Sequence, residues 1–74
     1  VKACPKSLHV RISRMRRIAY DIAHMGGSSY PDVAVKEAER AARNGECIEA
    51  HAALRAAVHS ARKALKKYDR RARR

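Results

Sequence analysis

Two glycine breaks decide what this chain can fold into. Gly26-Gly27 and Asn44-Gly45 divide it into three runs, and within each run apolar residues recur every three or four positions. That spacing belongs to amphipathic helix, because residues three and four apart share one face. The apolar residues are mostly small: 15 of the 74 residues are alanine, against three Leu, four Ile, five Val and two Met, with no Phe and no Trp. Alanine is the best helix former and a poor filler of space. The sequence therefore predicts an all-α fold, a three-helix up-down-up bundle whose helices pack closely around a thin core, without a deep ligand pocket. It is read as one small domain over residues 1–74. A chain of this length buries only about 60% of its unfolded surface. A staple or a partner commonly supports such a core, and a homodimer pooling two thin cores is one expectation.

The first helix is predicted over residues 8–25, after an irregular lead-in over residues 1–7 in which Pro5 disfavours helix at Cys4. Ser7 is the expected N-cap. Leu8, Ile12, Met15, Ala19 and Ile22 form its apolar stripe, widened by Ile18 and Met25, and Arg17 and Asp21 stand one turn apart as a helix pair. The second helix starts near residue 31. Either Ser29 caps it with Asp32 three residues on, or Tyr30 is the boundary with Pro31 in the first helical position. Its buried face is Ala34, Ala38, Ala41 and Ala42. The third begins at Glu46, with Glu46 and Glu49 favoured by the helix dipole. Cys47, Ala50, Leu54, Ala57, Ala61, Ala64 and Tyr68 give it a seven-residue repeat, with Val58 and Leu65 in support. At about 25 residues it spans ~38 Å and outruns the second helix, and residues 69–74 are expected to fray.

Charge is concentrated at both ends of the chain. Lys and Arg number 18 and Asp and Glu 7, for a net charge of +11. Residues 1–20 hold six bases and no acid, residues 21–51 three bases and six acids, and residues 52–74 nine bases and one acid, Asp69. Two basic poles around an acidic middle focus attraction toward polyanions, acidic protein faces and anionic membranes. The densest cluster is Arg62, Lys63, Lys66, Lys67, Arg70, Arg71, Arg73 and Arg74, with Tyr68 among them to stack on an unpaired base. A second set, Arg11, Arg14, Arg16 and Arg17, is spread round the first helix, with Arg14 and Arg17 on a shared face and Arg16 on one with His9, Ser13 and Tyr20. The acids Glu37, Glu39, Glu46 and Glu49 are best explained as partners of Lys36, Arg40 and Arg43.

Three helices running up, down and up bring the start of the third beside the start of the first. Cys4 and Cys47 then fall at the same end, where a disulfide between them is one expectation and two reduced buried thiols the other. The same geometry brings His9 and His51 toward the cysteines, but no spacing motif supports a zinc site there. No metal and no cofactor is expected. A phosphate loop, a nucleophile elbow and a metalloprotease helix are all missing, so no enzymatic activity is expected. No apolar run is long enough to cross a membrane, and no signal peptide is apparent. The opening Val1 fits a removed leader, a removed tag or a valine codon used as a start. The cytoplasm is the expected location, or a secreted one if the cysteines are bridged.

The stretch Ala-Ala-Arg-Asn-Gly-Glu-Cys-Ile-Glu-Ala-His-Ala-Ala-Leu-Arg-Ala-Ala-Val, residues 41–58, resembles the tight helical hairpin of tetratricopeptide repeats and of the twentieth protein of the bacterial small ribosomal subunit. The ribosomal resemblance implies RNA binding, although the long lysine-rich N-terminal helix of that family has no counterpart here. A helix-turn-helix reading, with Ala41 and Gly45 at the turn, meets the objection that its recognition helix would open with Glu46 and Glu49, which phosphate repels. The favoured function is non-catalytic binding of DNA or RNA through phosphate contacts, with little sequence discrimination. The alternatives are a small phage-type regulator or inhibitor docking on an acidic protein surface, and a secreted cationic disulfide-containing antimicrobial protein.

Overall fold

The computed structural model describes residues 4–72, which form three helices packed on one another: α1 (Lys6–His24), α2 (Tyr30–Arg43) and α3 (Cys47–Ala72). Among the described residues there is no strand.

The glycine breaks act as helix stops through one repeated hydrogen-bonding pattern. Gly26 has φ +81° and Gly45 φ +75°, left-handed values that a side chain disfavours. After α1, Gly27 N–H donates to the Ile22 carbonyl at 2.9 Å and Gly26 N–H to that of Ala23 at 3.4 Å. After α2, Glu46 N–H donates to Ala41 at 2.8 Å and Gly45 N–H to Ala42 at 3.2 Å. Both are Schellman motifs, which satisfy carbonyls that the helix end leaves open.

The helix starts differ from expectation in informative ways. α1 begins at Lys6, with Pro5 rather than Ser7 in the capping position and no side-chain cap. The proline ring holds φ at −58°, and the Pro5 carbonyl accepts from Leu8 N–H at 3.0 Å, so Ser7 is drawn into the first turn. At α2 the boundary residue is Ser29, again without a side-chain cap, and the Ser28 hydroxyl accepts from Tyr30 N–H at 3.1 Å. Pro31 sits in the first turn, where an N–H would lack a helical acceptor. α3 begins at Cys47 because Glu46 belongs to both helices: its N–H closes α2, and its carbonyl accepts from Ala50 N–H at 2.9 Å.

The core contains the expected stripes. Leu8, Ile12, Met15, Ala19 and Ile22 of α1, Ala34, Ala38, Ala41 and Ala42 of α2, and Ala50, Leu54, Ala57 and Ala61 of α3 are all buried. Val35 and Pro31 join them fully buried, which the alanine count of α2 did not suggest. Ile18, Met25 and Leu65 instead stay 42%, 50% and 43% exposed, because the thin bundle offers nothing to cover the flanks they occupy.

Topology follows from contacts at both ends. Cys4 and Cys47 lie with sulfurs 2.12 Å apart and Cα atoms 5.6 Å apart, a disulfide. At the other end Ile22–Ser28 faces Ser60–Lys67. α1 and α3 are therefore parallel, with α2 antiparallel between them, the up-down-up order. α3, at ~39 Å against ~28 Å for α1, passes the α1–α2 turn near Lys66 and runs on through Ala72.

Two stability outcomes are expected. Gly45→Ala forces a Cβ into left-handed backbone and should lower unfolding free energy by about 1–2 kcal/mol, read from urea denaturation with the bridge intact. Replacing both cysteines by serine opens a loop of sequence separation 43. It should cost about 4 kcal/mol, seen as a lower urea midpoint.

Candidate functional site

The acids of α2 are occupied within the fold. Lys36 pairs with Asp32 at 3.2 Å, Arg40 with Glu37, and Arg43 with Glu39 at 3.8 Å. Arg16 crosses from α1 to the same Glu39 at 3.5 Å. Hydrogen bonding from the Arg40 guanidinium, with its charge, holds the Glu37 carboxyl below the usual carboxylate range and raises Arg40 in turn. Both groups are exposed, so the pair contributes little to stability. These pairs account for Glu37 and Glu39 as structural charge, while Lys36 turns to Asp32 and neither Glu46 nor Glu49 forms an ion pair among the described residues; Arg16, though engaged by Glu39, stays largely exposed. The Arg17–Asp21 pair is not formed; the four ion pairs above are those found among the described residues.

The basic half of α3 contrasts with this. Arg62, Lys63, Lys66 and Lys67 are all exposed, and none meets an acid within 4.0 Å among the described residues. Arg70 and Arg71 lie within the same helix, while Arg73 and Arg74 fall outside the described residues. At about 100° per residue, positions 62, 63, 66, 67, 70 and 71 all fall on one half of the helix circumference. Exposed Arg55 and His59 extend that half toward the start of the helix. The opposite half carries on the line of buried Ala57 and Ala61 through Ala64 and Leu65.

Where α3 passes the α1–α2 turn, an open groove of about 640 Å³ lies between them. Ile22, Met25, Ala64 and Leu65 supply its apolar surface, and Lys63, Lys66 and Lys67 its charge. Helical spacing sets Arg11, Arg14, Ile18 and Met25 on one flank of α1, at intervals of three, four and seven. Met25 lines the groove, so this flank is the one beside α3. Arg14 thus shares a side of the molecule with Lys63, and exposed Arg11 joins it. Exposed Asp21, seven residues from Arg14 and four from Met25, places one acid on the same flank, and Arg17 points further round. The sequence pairing of Arg14 with Arg17 treated α1 alone, without the direction in which α3 lies.

With the sulfurs of Cys4 and Cys47 joined, they cannot serve as thiolate ligands. No cluster of three or more metal-binding side chains occurs among the described residues. No described helix is long and apolar enough to cross a membrane. No protein-family model matches the sequence, and no curated protein or solved structure shows significant similarity to it. The hairpin resemblance of residues 41–58 is accordingly one of local form, a three-residue link between small-faced helices.

The isolation of the α3 bases has a measurable consequence. Replacing Arg62, Lys63, Lys66 and Lys67 together by glutamine should leave thermal unfolding nearly unchanged, within about 0.5 kcal/mol per site, because no ion pair found among the described residues is lost.

Proposed function

We propose that this protein binds nucleic acid without catalysis, using the basic half of α3 to contact phosphates. The observation that carries the reading is the segregation of bases on one side of a helix that outruns its bundle, while the acids of α2 are paired internally. The bases of α2 are each engaged by an acid of the same helix. On α3 the charges instead stand together at self-repelling density, which a polyanion relieves by releasing its condensed counterions. Arg62, Lys63, Lys66 and Lys67 are the central contacts, Arg70, Arg71, Arg73 and Arg74 extend them, and Arg14 with Arg11 adds a second line. Phosphate contacts of this kind position a protein without reading sequence, so discrimination between sequences should be weak.

The cysteine bridge favours a second reading, a secreted cationic protein acting on membranes, since disulfides persist in oxidising surroundings. A membrane-active helix presents large apolar residues opposite its charges. Across residues 61–67 α3 presents Ala61, Ala64 and Leu65, of which Ala61 is buried in the core. That makes a weak insertion face, and phosphate contact remains the better account. Bridged, the protein belongs in this proposal to an oxidising site such as the cell exterior or a particle surface.

Salt dependence tests the function. Affinity for duplex DNA or RNA should fall steeply over roughly 50 to 200 mM salt. Substituting glutamine at Arg62, Lys63, Lys66 and Lys67 should make the log–log slope shallower by about 3, at 0.7–0.9 per lost phosphate contact. Absence of binding at the low-salt end, or an unchanged slope in the variant, would sink the reading.

A further inference from the structure

The groove beside the α1–α2 turn combines features that phosphate binding alone does not require. Its apolar surface includes Met25 and Leu65, both left close to half exposed. Three lysines, Lys63, Lys66 and Lys67, stand on its margin, and the hydroxyls of Ser28 and Ser60 supply polar groups. Its volume lies within the range of about 300–1,000 Å³ typical of sites for small ligands. Apolar side chains beside a phosphate-binding stripe gain nothing from a duplex, whose base faces are stacked and paired out of reach. A single strand offers both surfaces: phosphates for the lysines and the flat face of an unpaired base for the apolar wall.

Charge placement points to the same ligand. From the groove, bases continue in sequence along α3 at Arg70 and Arg71, and back along α1, past the one acid Asp21, at Arg14 and Arg11. A ligand with negative charge repeating along its length uses all of these, whereas a compact acidic ligand would engage only the lysines at the rim. The step from Lys63 to Lys67 is one helical turn, about 6 Å, which suits successive phosphates of an extended strand.

We propose that this groove receives unpaired bases of a single-stranded nucleic acid while Lys63, Lys66 and Lys67 hold the flanking phosphates. The inference rests on the reading of α3 as a phosphate-binding helix and adds the strandedness of the ligand and the place where its bases sit. Every base has a flat π-face that an apolar wall can cover, so the groove favours single strands without selecting a sequence.

The test compares three fluorescein-labelled probes at low salt: an oligothymidylate, the same backbone carrying abasic sites, and a duplex of equal length. The wild-type protein should bind the oligothymidylate about tenfold more tightly than its abasic counterpart, the gain from burying about 55 Å² of apolar surface against a base. The double variant Met25→Gln, Leu65→Gln should bind those two equally and retain wild-type affinity for the duplex. Both positions are partly exposed, and circular dichroism will verify that the variant keeps its helices. Equal wild-type affinity for intact and abasic strands would overturn the proposal while leaving phosphate binding standing. So would a double variant that loses duplex affinity in parallel, or an acidic amphipathic peptide that displaces the strand and binds more tightly than it does. Failure to bind any of the three probes would remove both readings together.

Discussion

Close approach of helices across alanine is the interaction on which this structure depends. Ala38, Ala41, Ala50 and Ala57 are fully buried, and the α2–α3 pair they join is the most intimate in the bundle. A methyl group fills little space, so the backbones must come near one another for the core to be dense at all. The large side chains are confined to a few places, Leu8, Leu54 and Val35 foremost among those fully enclosed. Each buried methyl contributes little next to a leucine or phenylalanine, so cross-linking of the unfolded chain carries unusual weight here. The Cys4–Cys47 bond ties the entry of α1 to the entry of α3, at the end where α2 hands over to α3 through only Asn44, Gly45 and Glu46.

A thin core also decides what stays outside. α2 is short, so the latter part of α3 has few neighbours, and Leu65 is left partly uncovered beside Met25. Charge segregation follows the same division. Where helices meet along the flank of α2, acids and bases are interleaved and largely offset one another, and Glu39 gathers Arg16 and Arg43 across two helices. Where α3 passes the α1–α2 turn, exposed Lys63, Lys66 and Lys67 stand without an acid partner among the described residues. The packing limit and the electrostatic asymmetry therefore share one origin, the mismatch in length between the second and third helices.

Much of this was legible in the residues. Periodicity located all three helices and most of the core, since Leu8, Ile12, Met15, Ala19 and Ile22 differ from their neighbours in hydropathy and a 3.6-residue repeat is unambiguous over such lengths. The up-down-up order brought Cys4 to Cys47 before any coordinates were needed. Helix starts were less legible: both Ser7 and Ser29 have the composition of caps, but proline backbone geometry and the Ser28 hydroxyl took over the role. Ile18, Met25 and Leu65 carried the right residue type on the edge of a stripe, and spacing does not say how wide the neighbouring helix is. The groove was invisible for that reason, because it exists only where one helix ends and another continues. The partner of Arg16 was hidden on similar grounds: a helical wheel gives directions, and only the bundle says which direction holds Glu39.

The pairing of acids along α2 has an effect that acts before any contact is made. A molecule whose surplus positive charge is gathered along one flank and one end carries a strong electric moment as well as a net charge. In the field of a polyanion such a body experiences torque during approach, and it arrives already turned with α3 leading. Glu39 contributes to that asymmetry: its single carboxylate offsets part of the charge of Arg16 and Arg43, which leaves the flank they occupy less positive than α3.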